Sequence, residues 1–159
     1  MSTQRTAEVE WIGGLLDGEG KITATTSHRL EGLEVDWNTR LDEESGGTSP
    51  EELVAAGLSA CFAMSVSHSL VGSGWEPEEI KVASSLSFEP GVGITGGTLT
   101  VNATVGGIPD DKLWDAVERA KLGCPVVKAL AGVELELELP GVEKPAEETA
   151  EPELEEVSD

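Results

Sequence analysis

The segment LVAAGLSACFAMSVSHSLVGSGW (residues 53–75) contains no charged residue and decides the fold. It follows the tetrapeptide SPEE (49–52), in which Ser49 is a suitable N-cap, the proline fits the first helical position and Glu52 completes a capping box. The pattern predicts a helix of about 22 residues. Gly57 is the candidate position for a bend in this helix.

A run of this length could span a membrane, which requires about 20 apolar residues. The segment is rich in Ala rather than Leu, however, and contains several serines and His68. In a soluble protein, a helix that is apolar on nearly all sides is a buried central helix. Because a domain of this size can hardly cover every face of such a helix, we expect a second copy of the chain to complete the packing, and no membrane.

Segments that alternate apolar and polar residues lie on both sides of this helix and predict strands. They are AEVEWIG (7–13), KITATTS (21–27), LEVDW (33–37), IKVASSLSFE (80–89), GTLTVNATV (97–105) and VELELELP (133–140). An amphipathic helix is predicted over 109–122 and a short helix from Cys124 to Leu130. This order of elements predicts an α+β fold with an antiparallel sheet packed against the central helix.

The bulk composition limits the classes of function. The chain has 159 residues, which suits one domain, and carries 31 Asp and Glu against 10 Lys and Arg. Such an acidic balance argues against binding to nucleic acid or to an anionic membrane. The sequence does not open with a signal segment, so we expect a cytoplasmic protein whose thiols are reduced by default.

Part of this negative charge is local to the end of the chain. Residues 141–159 contain eight acids and one lysine, and are interrupted by Pro145 and Pro152. Such a stretch cannot bury enough apolar surface to become ordered. We therefore predict one domain over residues 1–140 and a solvated, disordered tail over 141–159.

The two cysteines, Cys61 and Cys124, lie in unlike settings. Cys61 is either an ordinary core residue or a nucleophile, and an apolar setting opposes the thiolate that a nucleophile needs unless a cation is near. Cys124 precedes Pro125 at a helix start, where unpaired N–H groups and the helix dipole lower a thiol pKa. Its alternative role is a helix cap without redox chemistry. The combination favours a peroxide-reducing dithiol over a metal site or a structural disulfide.

Arg40 is the best candidate for the cation, because it lies at an apparent strand end (WNTRL) just before the helix. Glu51 could hold its guanidinium through two parallel hydrogen bonds. Each residue has an ordinary alternative, a surface ion pair for Arg40 and a favourable helix-dipole charge for Glu51. Ten residues of helix place Glu51 about 15 Å from Cys61. Close approach therefore requires a bend at Gly57 or a helix from another subunit.

Other chemistries are disfavoured by spacing. The two cysteines with His28 and His68 show neither of the paired spacings typical of zinc. His68 is two helical turns from Cys61, about 10 Å, which is too far for a Cys–His hydrolase. The Gly91-Val92-Gly93 turn joins two strands, so it is not a dinucleotide-binding loop.

Two segments resemble the OsmC/Ohr family of osmotically inducible and organic hydroperoxide resistance proteins. They are GGTSPEELVAAGLSACFAMSVSHSL (46–70) and AKLGCPVVKALAGVELELEL (120–139), and the likeness extends over about 7–140, closer to the OsmC branch. The resemblance implies an intertwined homodimer in which antiparallel sheets wrap long central helices. It implies reduction of hydroperoxides, organic ones especially, without a metal or organic cofactor.

The same resemblance implies a role for each site residue. Cys61 would be the peroxidatic cysteine, Cys124 the resolving cysteine, and Arg40 with Glu51 the pair that stabilises the Cys61 thiolate. The thiolate would become a sulfenic acid, which condenses with Cys124 to a disulfide. An external dithiol, such as a lipoylated protein, would restore the thiols. The alternative is a non-catalytic stress or small-molecule-binding protein with the same fold.

Overall fold

A computed structural model describes residues 2–42 and 46–145, and the predicted tail beyond residue 145 lies outside the described residues. The elements are β1 (Ala7–Ile12), β2 (Glu19–Thr25), β3 (Glu34–Asp36), α1 (Pro50–Gly72), β4 (Pro77–Glu89), β5 (Gly93–Val105), α2 (Asp110–Gly123), α3 (Pro125–Ala129) and β6 (Glu134–Glu138). The fold is therefore α+β, as the order of patterns predicted.

The strands form two separate three-stranded sheets, β1-β2-β3 and β4-β5-β6. The first sheet is antiparallel, and β4 and β5 form a long antiparallel hairpin. The prediction of antiparallel pairing is wrong for β6, which runs parallel to β5 with Leu99 opposite Leu137. The physical reason is the intervening α2 and α3, a crossover that returns the chain to the end of the sheet where β5 began.

Helix α1 begins as predicted. The Ser49 side chain accepts a hydrogen bond from the backbone N–H of Glu52 at 3.0 Å, and Pro50 is the first helical residue. The capping box is only half formed, because the Glu52 carboxylate accepts a hydrogen bond from the Thr48 hydroxyl instead. The helix continues without interruption through Gly57, so no break shortens the distance from its start to Cys61.

One face of α1 packs against β4, α2 and α3 and forms the core. Its fully buried side chains recur every fourth residue, at Leu58, Phe62, Val66 and Leu70. They meet buried residues of the other elements, Leu99, Val101, Leu113, Trp114 and Val117. The Ser84 hydroxyl of β4 also donates to the Ala55 carbonyl of α1 at 2.8 Å, which fixes the helix on the sheet.

The opposite face of α1 is exposed in the single chain. Ala56, Ala60, Met64 and His68 form one exposed stripe along it. By length and composition α1 could cross a membrane, and only 22% of its most apolar 18-residue window is buried. The predicted burial of the helix on every face is therefore not achieved by one copy of the chain.

Most residues of the first sheet are also exposed to solvent. Strand β1 is exposed along its whole length, and within β2 only Gly20, Ile22 and Thr25 are buried. Among the described residues, eight of the twelve exposed large apolar side chains precede Asp42, including Trp11 at 41% and Leu16 at 70% exposure. After β3 the chain forms a 3₁₀ turn, Asn38–Arg40, rather than the strand end that WNTRL suggested.

The last described residues are attached to α2. The Trp114 indole N–H donates to the Val142 carbonyl at 3.4 Å, and the Glu143 backbone N–H donates to Asp110 at 2.9 Å. Val142 packs against the core. The first part of the segment predicted as a tail, up to Glu143, is therefore held by side-chain contacts.

Candidate active site

The fold brings the two cysteines together, although 63 residues separate them in the chain. The Sγ atoms of Cys61 and Cys124 lie 3.4 Å apart, and both thiols are free. Cys61 lies on the middle of α1. Cys124 ends α2, where its backbone N–H donates to the Ala120 carbonyl at 2.9 Å. It is also the N-cap of α3, which Pro125 opens as predicted. A small movement would bring the sulfurs to the length of a disulfide, about 2.05 Å.

The two sulfurs differ in access. Cys124 is completely buried, whereas Cys61 is half-buried and lines a groove of about 640 Å³ between α1 and α2. Met64 and His68 form part of one wall, and Arg119 lies on the other, where its guanidinium donates to the Ser73 hydroxyl at 2.8 Å. A molecule that enters this groove can reach Cys61 but not Cys124.

The environments of the sulfurs shift their pKa values in opposite directions. Burial raises the pKa of Cys61, and Cys124 raises it further, against the opposing backbone N–H of Val126. Burial also opposes ionisation of Cys124, but the Val127 N–H, the Cys61 thiol, the Ser65 hydroxyl and the Val126 N–H together outweigh it and lower the pKa of Cys124. In the single chain, Cys124 is therefore the thiol that ionises more readily.

Ser65 is a residue of this cluster that the sequence analysis missed. Its hydroxyl donates to the Cys61 carbonyl at 2.9 Å, and it is one of the groups that lower the pKa of Cys124. The spacing could have indicated it, because a residue four positions after Cys61 lies on the same face of the helix.

Arg40 and Glu51 form the predicted ion pair, but through one carboxylate oxygen rather than through the two parallel hydrogen bonds expected. Arg40 Nη2 and Glu51 Oε1 are 3.1 Å apart, and their side chains are only 26% and 12% exposed. The guanidinium also lies over two rings, 4.7 Å from the centroid of Phe88 and 5.4 Å from that of Trp37. These aromatic contacts restrict the guanidinium and were not predicted, because Phe88 comes from the distant β4.

The second oxygen of Glu51, Oε2, is buried and has no hydrogen-bond partner. A buried carboxylate oxygen without a donor is costly. Beside this pair lies an apolar cavity of about 370 Å³, walled by Trp11, Leu15 and Leu53 and reaching Arg40. The Arg40–Glu51 pair therefore has both an unused acceptor and an apolar space beside it.

Within one chain the Arg40–Glu51 pair does not contact the Cys61–Cys124 pair. Glu51 and Cys61 are ten residues apart on an uninterrupted helix, which corresponds to about 15 Å. In residues 2–42 and 46–145, no hydrogen bond or ion pair joins Arg40 or Glu51 to either cysteine. The structure thus assembles the predicted residues as two pairs, Cys61 with Cys124 and Arg40 with Glu51.

In the described part of the chain, no group of three or more His, Cys, Asp or Glu side chains could hold a metal ion. The reactive groups that the structure brings together are two adjacent thiols and a partly buried arginine–carboxylate pair.

Comparison with known proteins gives consistent matches. Residues 42–138 match the family model described as OsmC-like protein. The chain is 32% identical over 133 residues to peroxiredoxin OsmC of Escherichia coli (strain K12), covering 82% of this chain and 92% of the relative. The fold matches an organic hydroperoxide resistance protein OsmC from Legionella pneumophila with a TM-score of 0.65 at 29% identity, over 84% of this chain and 96% of the other. It also matches OhrB of Bacillus subtilis with a TM-score of 0.62 at 30% identity, over 84% and 97%.

Proposed function

We propose, from the premise that the chain belongs to the OsmC-like protein family, that it is a cysteine-based peroxidase that reduces hydroperoxides, organic ones in particular. The names of its relatives support this activity. The single observation that carries the proposal is the 3.4 Å separation of the Cys61 and Cys124 sulfurs, one reachable from a groove and the other sealed.

The proposed reaction begins at Cys61. Its thiolate attacks the terminal oxygen of the hydroperoxide, the O–O bond breaks, and the alcohol leaves after taking up a proton. Cys61 becomes a sulfenic acid. The Cys124 thiolate then attacks the Cys61 sulfur, water leaves and a disulfide forms. An external dithiol reduces this disulfide and returns the enzyme to its starting state.

Cys61 needs a cation for this reaction, because burial raises its pKa in the single chain. We assign that cation to the partner's Arg40 in a homodimer, held there by the partner's Glu51. Two copies that pack through α1 would place the Arg40–Glu51 end of one helix near Cys61 in the middle of the other. Within one copy the uninterrupted helix keeps these two positions apart. The unpaired Oε2 of Glu51 would then face the partner's thiol or the hydroperoxide.

Two features support a homodimer as the assembly. The stripe of α1 at Ala56, Ala60 and Met64 is exposed in the single chain. The first sheet exposes Val9, Trp11 and other large apolar side chains that a soluble protein buries. A second copy would cover both surfaces. Burial of α1 in such a dimer would also explain its apolar composition without a membrane.

The apolar lining of both cavities favours an alkyl or aryl hydroperoxide over hydrogen peroxide. The reductant would be a small or protein-bound dithiol, for which a lipoylated protein is the leading candidate. The reaction requires no metal and no organic cofactor. The acidic charge of the chain disfavours a nucleic-acid partner, and we place the activity in the cytoplasm.

The test is a count of free thiols after treatment of the reduced protein with one equivalent of tert-butyl hydroperoxide. We expect both thiols to be lost together and one molecule of tert-butanol to form. If both thiols stay free, the protein is not a peroxidase and a non-catalytic binding role is favoured. Steady-state turnover with dihydrolipoamide and with thioredoxin, on cumene hydroperoxide and on hydrogen peroxide, then identifies the reductant and the substrate class.

A further inference from the structure

The Arg40 guanidinium lies against two aromatic rings as well as a carboxylate. Its central carbon is 4.7 Å from the centroid of the Phe88 ring and 5.4 Å from that of the Trp37 ring. The two rings meet edge to face, with their centroids 6.4 Å apart and an angle of 83° between their planes. We call Trp37 and Phe88 the aromatic clamp of Arg40.

The ion pair with Glu51 uses only part of what the guanidinium can donate. A guanidinium carries five N–H donors. The pair joins Nη2 of Arg40 to a single oxygen of Glu51 at 3.1 Å. In residues 2–42 and 46–145, no further hydrogen bond or ion pair occupies the Arg40 side chain. Most of its N–H donors are therefore available to an anion.

An aromatic clamp restrains a cation without using its N–H donors. The face of an aromatic ring is negative, and it attracts the guanidinium electrostatically. A carboxylate that binds a guanidinium through two parallel hydrogen bonds takes two of the donors instead. The clamp can therefore fix the position of Arg40 and still leave its donors free.

The clamp also connects two parts of the fold. Trp37 directly follows β3 of the first sheet, whereas Phe88 belongs to β4 of the second sheet. Both rings are half-buried, and the Arg40 side chain is only 26% exposed. A cation–π contact is stronger when water is excluded from it. Arg40 is thus held between the two sheets rather than at the tip of a loop.

We propose that Trp37 and Phe88 are positioning residues that hold Arg40 in the orientation from which its N–H groups bind the partner's Cys61 thiolate. This rests on the proposed function, in which Arg40 is the cation for Cys61. Oε2 of Glu51 is buried and has no hydrogen-bond partner, so it competes for a second N–H of Arg40. The clamp opposes this turn of the guanidinium and keeps its donors directed at the thiolate.

The first experiment measures alkylation of Cys61 by iodoacetamide in the Cys124→Ser protein, without any hydroperoxide. Phe88→Leu keeps an apolar side chain but removes the ring face, and Phe88→Tyr keeps the face. We expect Phe88→Leu to move the pH midpoint for Cys61 upward and to slow alkylation at neutral pH about three- to tenfold, in line with the strength of a partly buried cation–π contact. Phe88→Tyr should restore most of the rate.

The same measurement in the Arg40→Ala background separates positioning from packing. A residue that acts only through Arg40 has no further effect once Arg40 is absent. We therefore expect Phe88→Leu to leave the alkylation rate of the Arg40→Ala protein unchanged. A purely structural role of Phe88 would slow alkylation equally in both backgrounds.

The second experiment replaces Phe88 by phenylalanine analogues with increasing numbers of ring fluorines. Fluorine weakens the negative face of the ring while nearly preserving its shape, so the alkylation rate should fall stepwise along the series. The matched control is the same series at Phe62, the other of the two phenylalanines of the chain. Phe62 is fully buried in the core, and in the described part of the chain its ring contacts no cation.

Three results would each overturn the role of the clamp. They are an unchanged Cys61 midpoint in the Phe88→Leu protein, an equal effect of Phe88→Leu in the Arg40→Ala background, and an equal decline along the Phe62 series. Failure of the peroxidase proposal has a different signature, because both thiols of the unmodified chain then stay free after hydroperoxide treatment while the effects of Phe88 and Arg40 on alkylation persist.

Discussion

Glu51 binds Arg40 at 3.1 Å at the beginning of α1, while Cys61 lies ten residues further along the same uninterrupted helix. This spacing separates the cation from the thiol that needs it by about 15 Å. The proposed twofold arrangement of two copies would resolve the difficulty, because each copy would supply the pair to the other. The exposed face of α1 and the exposed first sheet are the surfaces through which such an arrangement would form.

Subunit complementation tests the shared site. An Arg40→Ala subunit retains Cys61, and a Cys61→Ser subunit retains Arg40, so a heterodimer of the two has one complete site. We expect each variant alone to be nearly inactive and a mixture that is unfolded and refolded together to regain about a quarter of wild-type activity, as random pairing in a twofold dimer predicts.

The matched control mixes Arg40→Ala with Glu51→Ala. Both changes affect the same half of the site, so no pairing of these subunits restores a complete one. Recovery in this control, or none in the first mixture, would show that Arg40 and Cys61 do not work across the interface.

Arg40 should also determine the pH dependence of Cys61. In the Cys124→Ser protein, Cys61 is the only thiol that titrates. Burial raises the pKa of Cys61 unless a cation compensates. We expect Arg40→Ala to shift the midpoint for Cys61 to higher pH. Because the thiolate is the reactive form, alkylation by iodoacetamide at neutral pH should slow accordingly.

Arg29 is the control for this shift, because it follows β2 of the first sheet and is exposed. Arg29→Ala should leave the Cys61 midpoint in place. A shift caused by Arg29→Ala, but not by Arg40→Ala, would assign the cation to Arg29.

Local features around the site were predicted correctly from the sequence. The N-cap at Ser49 and the helix start at Pro125 depend on neighbouring residues, and both are confirmed. The direction of β6 was predicted wrongly, because alternation indicates a strand but not its partner. The rings around Arg40 were missed for a related reason: Phe88 reaches Arg40 only through the β4–β5 hairpin packed on α1.

The exposed stripe of α1 provides a test of the assembly. Ala60→Glu would place a carboxylate in the middle of the proposed helix–helix contact, where an unpaired charge is costly. We expect this variant to be monomeric by light scattering and to lose peroxidase activity. The control is Val92→Glu in the β4–β5 turn, which is 69% exposed and should leave the mass and the activity unchanged. A fully active dimer with Glu at position 60 would contradict packing through this stripe.

The different access of the two sulfurs predicts different products in the single-cysteine variants. Cys61→Ser removes the thiol that lines the groove, so hydroperoxide should leave buried Cys124 unmodified and turnover should cease. Cys124→Ser should still react once, because Cys61 can form a sulfenic acid but has no partner thiol with which to condense. Dimedone labelling followed by mass spectrometry of the peptide that contains Cys61 detects this product. Dimedone on Cys124 in the Cys61→Ser protein, with turnover retained, would reverse the assignment of the two roles, since the attacking sulfur would then be the buried one.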